Sequence, residues 1–231
     1  SLHDALPILP GHAFSRAPSS FRPSLPTVAA ALADLLAALD LRPEVAIGHS
    51  AGAAIAARMA LDGAIAPELL VGIGAAIVPF RGVTTALFAP AARLLSQSGL
   101  AAHLIAAQAR DAANVDRMLR STGSALDHRG VELYRRLGRS PGHVAGVLAM
   151  LASWDLEPLY AALPRLAPRL LLLAGGADRA VPVAQQREVA ARAPRGRLHV
   201  VHGAGHLLHE EQPATVARLV LEELDGTAPP P

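Results

Sequence analysis

The sequence contains no cysteine, which excludes disulfide bonds and thiolate ligands for a metal ion. A chain without disulfides suits a reducing compartment, so we expect a cytoplasmic location, with contact to a membrane surface left open. Long hydrophobic runs are also missing. The longest uncharged apolar run, residues 69–80, has 12 residues and includes a proline, so we expect no membrane span.

Lysine is absent as well, and aromatic residues make up only 3% of the chain. The 21 basic residues are therefore all arginine, they are scattered among 19 acidic residues, and the formal net charge is only +2. Without a basic stripe or interleaved aromatic side chains, the sequence argues against nucleic acid as a partner. The hydrophobic content of 52% excludes global disorder, and the core must consist mainly of alanine, leucine and valine.

The apolar pattern of the 231 residues indicates one α/β domain with room for an insertion. Apolar residues at helical spacing follow Ser24 and predict a first helix, with Pro26 close to its start. A strand at 45–48, a helix at 54–61 and a strand at 69–74 form a βαβ unit, so the sheet should be parallel and covered on both faces. Further strands are predicted at 169–174 and 197–201, and further helices at 182–193 and 213–224.

Residues 79–166 differ from the rest because no strand-like run interrupts them. We expect a helical cap here, inserted into an α/β core formed by residues 9–78 and 167–226. The cap helices are predicted at 84–97, 100–110, 112–121, 129–137 and 143–153.

Residues 1–8 match no part of this architecture and are expected to be a non-native segment. Only 44 residues precede the strand at Val45, and the first helix occupies about a third of them. Four earlier strands with their connections do not fit in the remainder. We therefore expect an N-terminally truncated fragment whose sheet lacks its first strands, with lower activity than a longer chain would have.

The string Gly-His-Ser-Ala-Gly at residues 48–52 lies between a predicted strand and a predicted helix. Strand, sharp turn and helix around G-x-S-x-G are typical of a nucleophile elbow, in which a strained serine is raised above the sheet. Ser50 is therefore the predicted nucleophile. We expect Gly48 and Gly52 to be required, because a Cβ at either position would collide with the neighbouring strand or helix.

A serine hydroxyl becomes a good nucleophile when a base takes its proton and a carboxylate orients that base. Asp178 and His206 each follow one of the later predicted strands. The carboxyl ends of parallel strands meet at one edge of a sheet, so both side chains should lie close to Ser50. The alternatives are Asp155 for the acid and His202 or His209 for the base.

Other residues near the predicted site allow two interpretations. His49, Phe80 and Trp154 could bind substrate, although side chains of this kind more often serve packing. Glu210 and Glu211 are expected in a solvated helix start. No metal is expected at His202, His206 and His209, because the glycines between them break helical spacing and no carboxylate is suitably placed. The same two interpretations, lining of a substrate cleft or packing in the core, apply to Phe88, Met150 and Tyr160.

Several motifs resemble known families. Residues 48–52, 175–182 and 203–206 resemble the α/β-hydrolase fold superfamily over residues 9–224. The resemblance implies a mostly parallel sheet with helices on both faces and a helical cap. Motifs in the insertion resemble the family of magnesium-chelatase accessory proteins of bacteriochlorophyll biosynthesis. These motifs are Ser121-Thr122-Gly123-Ser124, Leu126-Asp127, the segment 140–146 and Trp154-Asp155-Leu156.

Carried over residue by residue, the resemblance implies that Ser50 attacks an acyl carbon, His206 carries the proton and Asp178 orients the imidazole. It implies that the N–H of Ala51 is one donor of the oxyanion hole. The second donor, which an HG-type motif on an earlier loop normally supplies, is missing from this sequence. No cofactor is implied.

Three functions are compatible with these patterns. The first is a serine hydrolase acting in, or accessory to, magnesium-porphyrin and bacteriochlorophyll biosynthesis, with a small apolar substrate such as a tetrapyrrole. The second is a non-catalytic porphyrin-binding protein that assists magnesium chelatase. The third is a general esterase or C–C bond hydrolase outside this pathway. An intact set of serine, acid and base favours chemistry over binding alone.

Overall fold

The computed structural model describes residues 7–79 and 99–226. Its strands are β1 (Val45–His49), β2 (Leu69–Ile73), β3 (Arg169–Gly175) and β4 (Gly196–Val201). The helices of these residues are α1 (Leu25–Ala38), α2 (Ala51–Leu61), α3 (Gly99–Gln108), α4 (Ala112–Ser121), α5 (His128–Gly138), α6 (Pro141–Ser153), α7 (Glu157–Ala162), α8 (Val183–Arg192), α9 (Leu208–Glu211) and α10 (Pro213–Leu224). One turn of 3₁₀ helix, Leu163–Arg165, follows α7.

The four strands form one sheet in the order β1-β2-β3-β4, and every neighbouring pair is parallel. Parallel pairing requires each connection to return to the starting end of the sheet, and the intervening helices do this. The prediction of a parallel sheet is therefore confirmed. Within the described residues β1 is an edge strand, and Ile47 in its centre is 57% exposed.

Apolar side chains cover both faces of the sheet, because successive residues of a strand point to opposite sides. On β3, Leu170 and Leu172 belong to a cluster that also contains buried residues of α1, α2 and α7. Leu171 and Leu173 belong to a second cluster, which buries Val216 and its neighbours in α10. The expectation of helices on both faces is confirmed.

Capping residues explain where several helices begin. Ser24, Asp127 and Ser140 each accept a backbone N–H of the first turn that follows, in α1, α5 and α6 respectively. Pro26 is the second residue of α1 and Pro141 the first of α6, positions at which a missing N–H costs no hydrogen bond within the helix. The first helix therefore begins where the sequence predicts.

Between β2 and β3 the described elements are all helical, as predicted. The predicted helix at 84–97 lies outside the described residues. Helical periodicity does not reveal α7 and α9, because six and four residues are too few to show it. None of the helices described is long and apolar enough to cross a membrane. The division into core 9–78 and 167–226 and cap 79–166 stays a prediction.

Candidate active site

Three polar side chains follow three strands at the same edge of the sheet. Ser50 comes directly after β1, Asp178 is the third residue after β3, and His206 is the fifth after β4. All strands are parallel, so these positions all lie at the carboxyl edge, where open α/β sheets bind their ligands.

Ser50 occupies a strained turn between β1 and α2. Its φ of 51° and ψ of −116° lie in a region that non-glycine residues rarely adopt. The turn is held by backbone hydrogen bonds, since the N–H of Ser50 donates to Ile73 at 2.9 Å and its carbonyl accepts from Ala76 at 3.1 Å. No hydrogen bond joins the Ser50 hydroxyl to His206 within the described residues. In this conformation the Ser50 hydroxyl is therefore not held by the imidazole of His206.

The two glycines of the turn have different surroundings. A Cβ on Gly48 would lie 2.4 Å from the backbone nitrogen of Ala53, so only glycine fits there. A Cβ on Gly52 would meet no described atom within 4 Å. The predicted collision at Gly52 is therefore wrong. Gly52 belongs to the first turn of α2, and its Cβ direction leads into open space.

Asp178 and His206 form a buried pair. His206 Nδ1 lies 2.8 Å from Asp178 Oδ2, and the carboxyl side chain is fully buried. The other carboxyl oxygen accepts the N–H groups of Ala180 and Val181, each at 2.8 Å. These contacts hold the carboxylate as an acceptor, so Nδ1 of the imidazole carries the donated proton and Nε2 is free to act as a base.

The alternative acid and bases lie elsewhere. Asp155 accepts the N–H of Glu157 at 3.1 Å, and among the described residues no hydrogen bond joins it to a histidine. His202 is exposed at the surface. His209 packs its ring against His49, with the centroids 4.4 Å apart, and burial lowers its pKa. Only His206 pairs with a buried carboxylate in the part of the chain that the structure describes.

Gly74, directly after β2, is a site residue that sequence reasoning missed. Its φ is +51°, which favours glycine. A Cβ there would lie 3.1 Å from His206 Nδ1 and 3.3 Å from Asp178 Oδ2, tight against the hydrogen bond of the pair. Gly74 thus lies against residues of the loops that follow β3 and β4, and its position one residue past a buried strand was the available signal.

His49, predicted as a substrate contact, touches the backbone of His206. Its Nε2 lies 3.1 Å from the His206 carbonyl oxygen, which can only accept, so Nε2 donates. Burial, followed by the nearby His209 and His206, lowers the pKa of His49 to about 3. The ring is therefore neutral at neutral pH, and its proton stays on the nitrogen that holds the His206 loop.

The remaining predicted contacts are placed as follows. Trp154 packs against the apolar cluster formed by β3 with α1, α2 and α7. Tyr160 is buried in the same cluster and donates its hydroxyl to Glu188, which supports its packing interpretation. Phe80 and Phe88 lie outside the described residues. A substrate role for His49, Phe80 and Trp154 stays a prediction.

Glu210 and Glu211 lie in the first turn of α9, as predicted, and Glu210 is exposed, but both carboxylates also bind distant parts of the chain. The carboxylate of Glu211 accepts the N–H of Gly205 at 3.0 Å and the N–H of Ala125 at 3.3 Å. Glu210 accepts the hydroxyl of Tyr134. Sequence alone misses this because both partners are brought in by residues between β2 and β3, more than 70 positions away.

The motif at 140–146 is explained by contacts with the loop that precedes α1. His143 Nδ1 accepts the N–H of Ala13 at 3.2 Å. A Cβ on Gly146 would lie 2.1 Å from the carbonyl oxygen of Gly11, so α6 can approach this loop only with glycine there. Across the described ranges, no group of three or more histidine and acidic side chains is arranged to hold a metal ion.

Comparisons with known proteins agree with this architecture. The model of an α/β-hydrolase family matches residues 3–219, and the chain belongs to the α/β-hydrolase family. The chain is also 38% identical over 221 residues to the magnesium-chelatase 30 kDa subunit of Rhodobacter capsulatus, covering 96% of this chain and 77% of that protein.

Solved structures show the same fold. An α/β-hydrolase fold protein from Burkholderia ambifaria superposes with a TM-score of 0.75 at 23% identity, covering 93% of this chain and 78% of the other. An esterase from Thermogutta terrifontis superposes with a TM-score of 0.71 at 21% identity, covering 96% and 79%. At these identities the likeness defines the fold alone.

Proposed function

We propose that the protein is a serine hydrolase in which Ser50 is the nucleophile, His206 the general base and Asp178 the residue that orients the base. The observation that carries the proposal is the buried 2.8 Å contact between His206 Nδ1 and Asp178 Oδ2, at the sheet edge where Ser50 occupies its strained turn. An imidazole held in this tautomer presents Nε2 as the base.

The reaction is acyl transfer to water. His206 Nε2 takes the proton of Ser50 Oγ while Oγ attacks the carbonyl carbon of an ester, which gives a tetrahedral oxyanion. The N–H of Ala51 is suited to stabilise that oxyanion, because it begins α2 and has no acceptor within the helix. The intermediate expels the alkoxide, which receives the proton from His206. Water then attacks the acyl-enzyme with His206 again as base, and releases the acid and Ser50.

The proposed substrate is a small apolar ester or related molecule of magnesium-porphyrin metabolism, acted on in or beside the chelatase step. The support is the 38% identity to a protein named as a magnesium-chelatase subunit. Association with magnesium chelatase belongs to the same proposal.

A fluorophosphonate probe tests the chemistry, because it phosphonylates a serine activated by a neighbouring base. We expect the wild type and Ser121→Ala to be labelled, and Ser50→Ala and His206→Gln to remain unlabelled. Ser121 is a matched control, since its hydroxyl is exposed and donates to the Met118 carbonyl. Labelling of Ser50→Ala at the wild-type rate would identify a different nucleophile and overturn the proposal.

A non-catalytic accessory role is the second candidate. It is favoured by the relative from Rhodobacter capsulatus, which is named a magnesium-chelatase subunit, and by the missing hydrogen bond between the Ser50 hydroxyl and His206 in the described residues. On this hypothesis the wild type is not labelled, and both wild type and Ser50→Ala bind protoporphyrin with the same Kd. A general esterase or C–C bond hydrolase is the third candidate, and a panel of esters and diketones without a tetrapyrrole would reveal it.

A further inference from the structure

The first four residues of the segment between α4 and α5, residues 122–125, contact the backbone on both sides of the acid and the base. We call these residues the 122–125 linker. It belongs to the helical part of the chain between β2 and β3, more than 50 residues before Asp178 and more than 80 before His206. The proposed mechanism gives it no role.

On the acid side, the linker encloses the turn that carries Asp178. The carbonyl of Thr122 accepts the N–H of Arg179 at 3.0 Å, one residue after the acid. Gly123, with a φ of +87°, approaches so closely that a Cβ on it would lie 1.9 Å from the carbonyl oxygen of Ala177, one residue before the acid. Backbone groups on both sides of Asp178 are therefore fixed by the linker.

On the base side, the linker holds the turn that carries His206. The hydroxyl of Ser124 accepts the N–H of Leu207 at 2.9 Å, and Ser124 itself is only 1% exposed. A Cβ on Gly205 would lie 2.3 Å from the carbonyl carbon of Gly123. The residues before and after His206 thus both pack on the linker.

The carboxylate of Glu211 also joins the 122–125 linker to the loop that carries His206. One of its carboxyl oxygens accepts the N–H of Gly205 and the other accepts the N–H of Ala125. The carboxylate therefore joins the residue before His206 to the end of the linker. Hydrogen bonds to an ionised acceptor are stronger than neutral ones, so this bridge adds directional support.

We propose that Ser124 is a positioning residue for His206, and that the 122–125 linker sets the geometry of the His206–Asp178 pair. Ser124 does not contact the reacting atoms. It fixes the Leu207 N–H, which fixes the direction in which the His206 side chain leaves the backbone. The proposal rests on the proposed serine-hydrolase function, because positioning matters for the rate only where His206 acts as the base.

Ser124→Ala tests the proposal, with Ser121→Ala as the matched control in the same region. Ser124→Ala leaves the Leu207 N–H without its acceptor, so we expect fluorophosphonate labelling to slow by about 10-fold to 100-fold, the loss typical of a small misplacement of a catalytic group. Ser121→Ala should label at the wild-type rate. If the wild type is labelled, an equal labelling rate in Ser124→Ala would overturn the inference while leaving Ser50 as the nucleophile.

A second readout does not depend on activity. The proton between His206 Nδ1 and Asp178 Oδ2 gives a downfield proton NMR resonance, assigned by its loss in His206→Gln. In Ser124→Ala we expect this resonance to move upfield and broaden, and in Ser121→Ala to stay unchanged. If the wild type is not labelled yet the resonance responds in this way, the hydrolase function fails and the positioning of His206 stands. An unchanged resonance in Ser124→Ala overturns the inference whatever the labelling result.

Glu211→Gln provides a variant that keeps the buried core intact. The amide replaces one carboxyl oxygen with an NH₂ group that cannot accept a hydrogen bond, so Gly205 or Ala125 loses the oxygen that now faces its N–H. We expect a labelling rate between those of wild type and Ser124→Ala, with the same direction of change in the NMR resonance. If Ser124→Ala does not fold, as judged by circular dichroism, Glu211→Gln decides the matter, and wild-type behaviour of that variant overturns the inference.

Discussion

The two halves of the candidate site are built differently. Ser50 depends on a strained turn at an edge strand of the described sheet, held by backbone contacts to the residues at the end of β2. Asp178 and His206 are buried, bonded to each other, and surrounded by hydrogen bonds from their own loops and from the 122–125 linker.

The difference indicates that the Asp178–His206 pair is held in place by several hydrogen bonds, whereas Ser50 is joined to that pair more loosely. No hydrogen bond links the Ser50 hydroxyl to His206 in the described part of the chain. Contacts of this kind are often long in the free protein and shorten when a substrate is bound. His49 connects the halves, since it precedes Ser50 in the chain and donates to the His206 carbonyl.

The largest expected effect is a loss of ester turnover when the buried carboxylate of Asp178 is replaced. Asp178→Asn keeps the shape of the side chain but favours the wrong tautomer of His206, so we expect turnover of a short p-nitrophenyl ester to fall about 10⁴-fold. Asp155→Asn is the control and should keep full turnover, because the hydrogen bond that Asp155 accepts comes from the local N–H of Glu157. A comparable loss in Asp155→Asn would mean that the acid has been misassigned.

The next effect distinguishes the two glycines of the serine half. Gly48→Ala forces a Cβ onto backbone atoms, so we expect unfolding free energy to fall by about 1–3 kcal/mol or more. Gly52→Ala places a methyl group in open space on a helix, where alanine is better than glycine by roughly 0.5–1 kcal/mol. Urea unfolding measures both. Equal destabilisation by the two substitutions would contradict the described geometry.

Gly74→Ala perturbs the junction between the halves. The new Cβ would press on the His206–Asp178 hydrogen bond, so we expect ester turnover to fall about 10-fold or more, together with a stability loss of about 1 kcal/mol. Gly63→Ala is the matched control, because Gly63 also has positive φ but a Cβ there meets nothing within 4 Å. The control should lose similar stability and keep its turnover.

The last prediction concerns the pH response of His49, the connection between the halves, and involves no loss of turnover. Its pKa is lowered to about 3 in the folded protein, while the unfolded chain binds a proton below about pH 6.5. The contribution of His49 to the free energy of unfolding is therefore fully present above pH 6.5. It is lost as the pH falls from 6.5 towards 3, by at most about 1.4 kcal/mol per pH unit.

His49→Gln should reduce this acid sensitivity, measured as unfolding free energy in urea at pH 7 and pH 5. His202→Gln is the control, since it makes the same substitution at an exposed position. The attribution to His49 is refuted by a His49→Gln protein whose stability falls between these pH values as steeply as that of the wild type.

Much of the fold could be predicted because its signals are local. Helical spacing after Ser24 and the buried runs of β1, β2 and β3 depend on residues close in sequence. The order of serine, acid and base along the chain, each after a strand, was readable for the same reason. Short helices such as α9 could not be predicted, because four residues are too few to show helical periodicity.

The supporting contacts of the site could not be predicted, because each joins distant parts of the chain. Gly74 looks like any glycine after a strand until His206 is packed against it. Glu211 resembles a surface acid until the 122–125 linker brings Ala125 to its carboxylate. Gly48 and Gly52 are equivalent in the motif, and only the packing of the turn distinguishes them.

The sequence by itself determined the parallel α/β architecture and the three residue types offered at the carboxyl edge of the sheet, because hydrophobic periodicity and strand order dictate both. Only the tertiary structure decided which histidine pairs with a buried carboxylate, and which small residues hold that pair in place. Those choices depend on hydrogen bonds and close backbone approaches between segments that are far apart in the chain, and no local pattern encodes such distances.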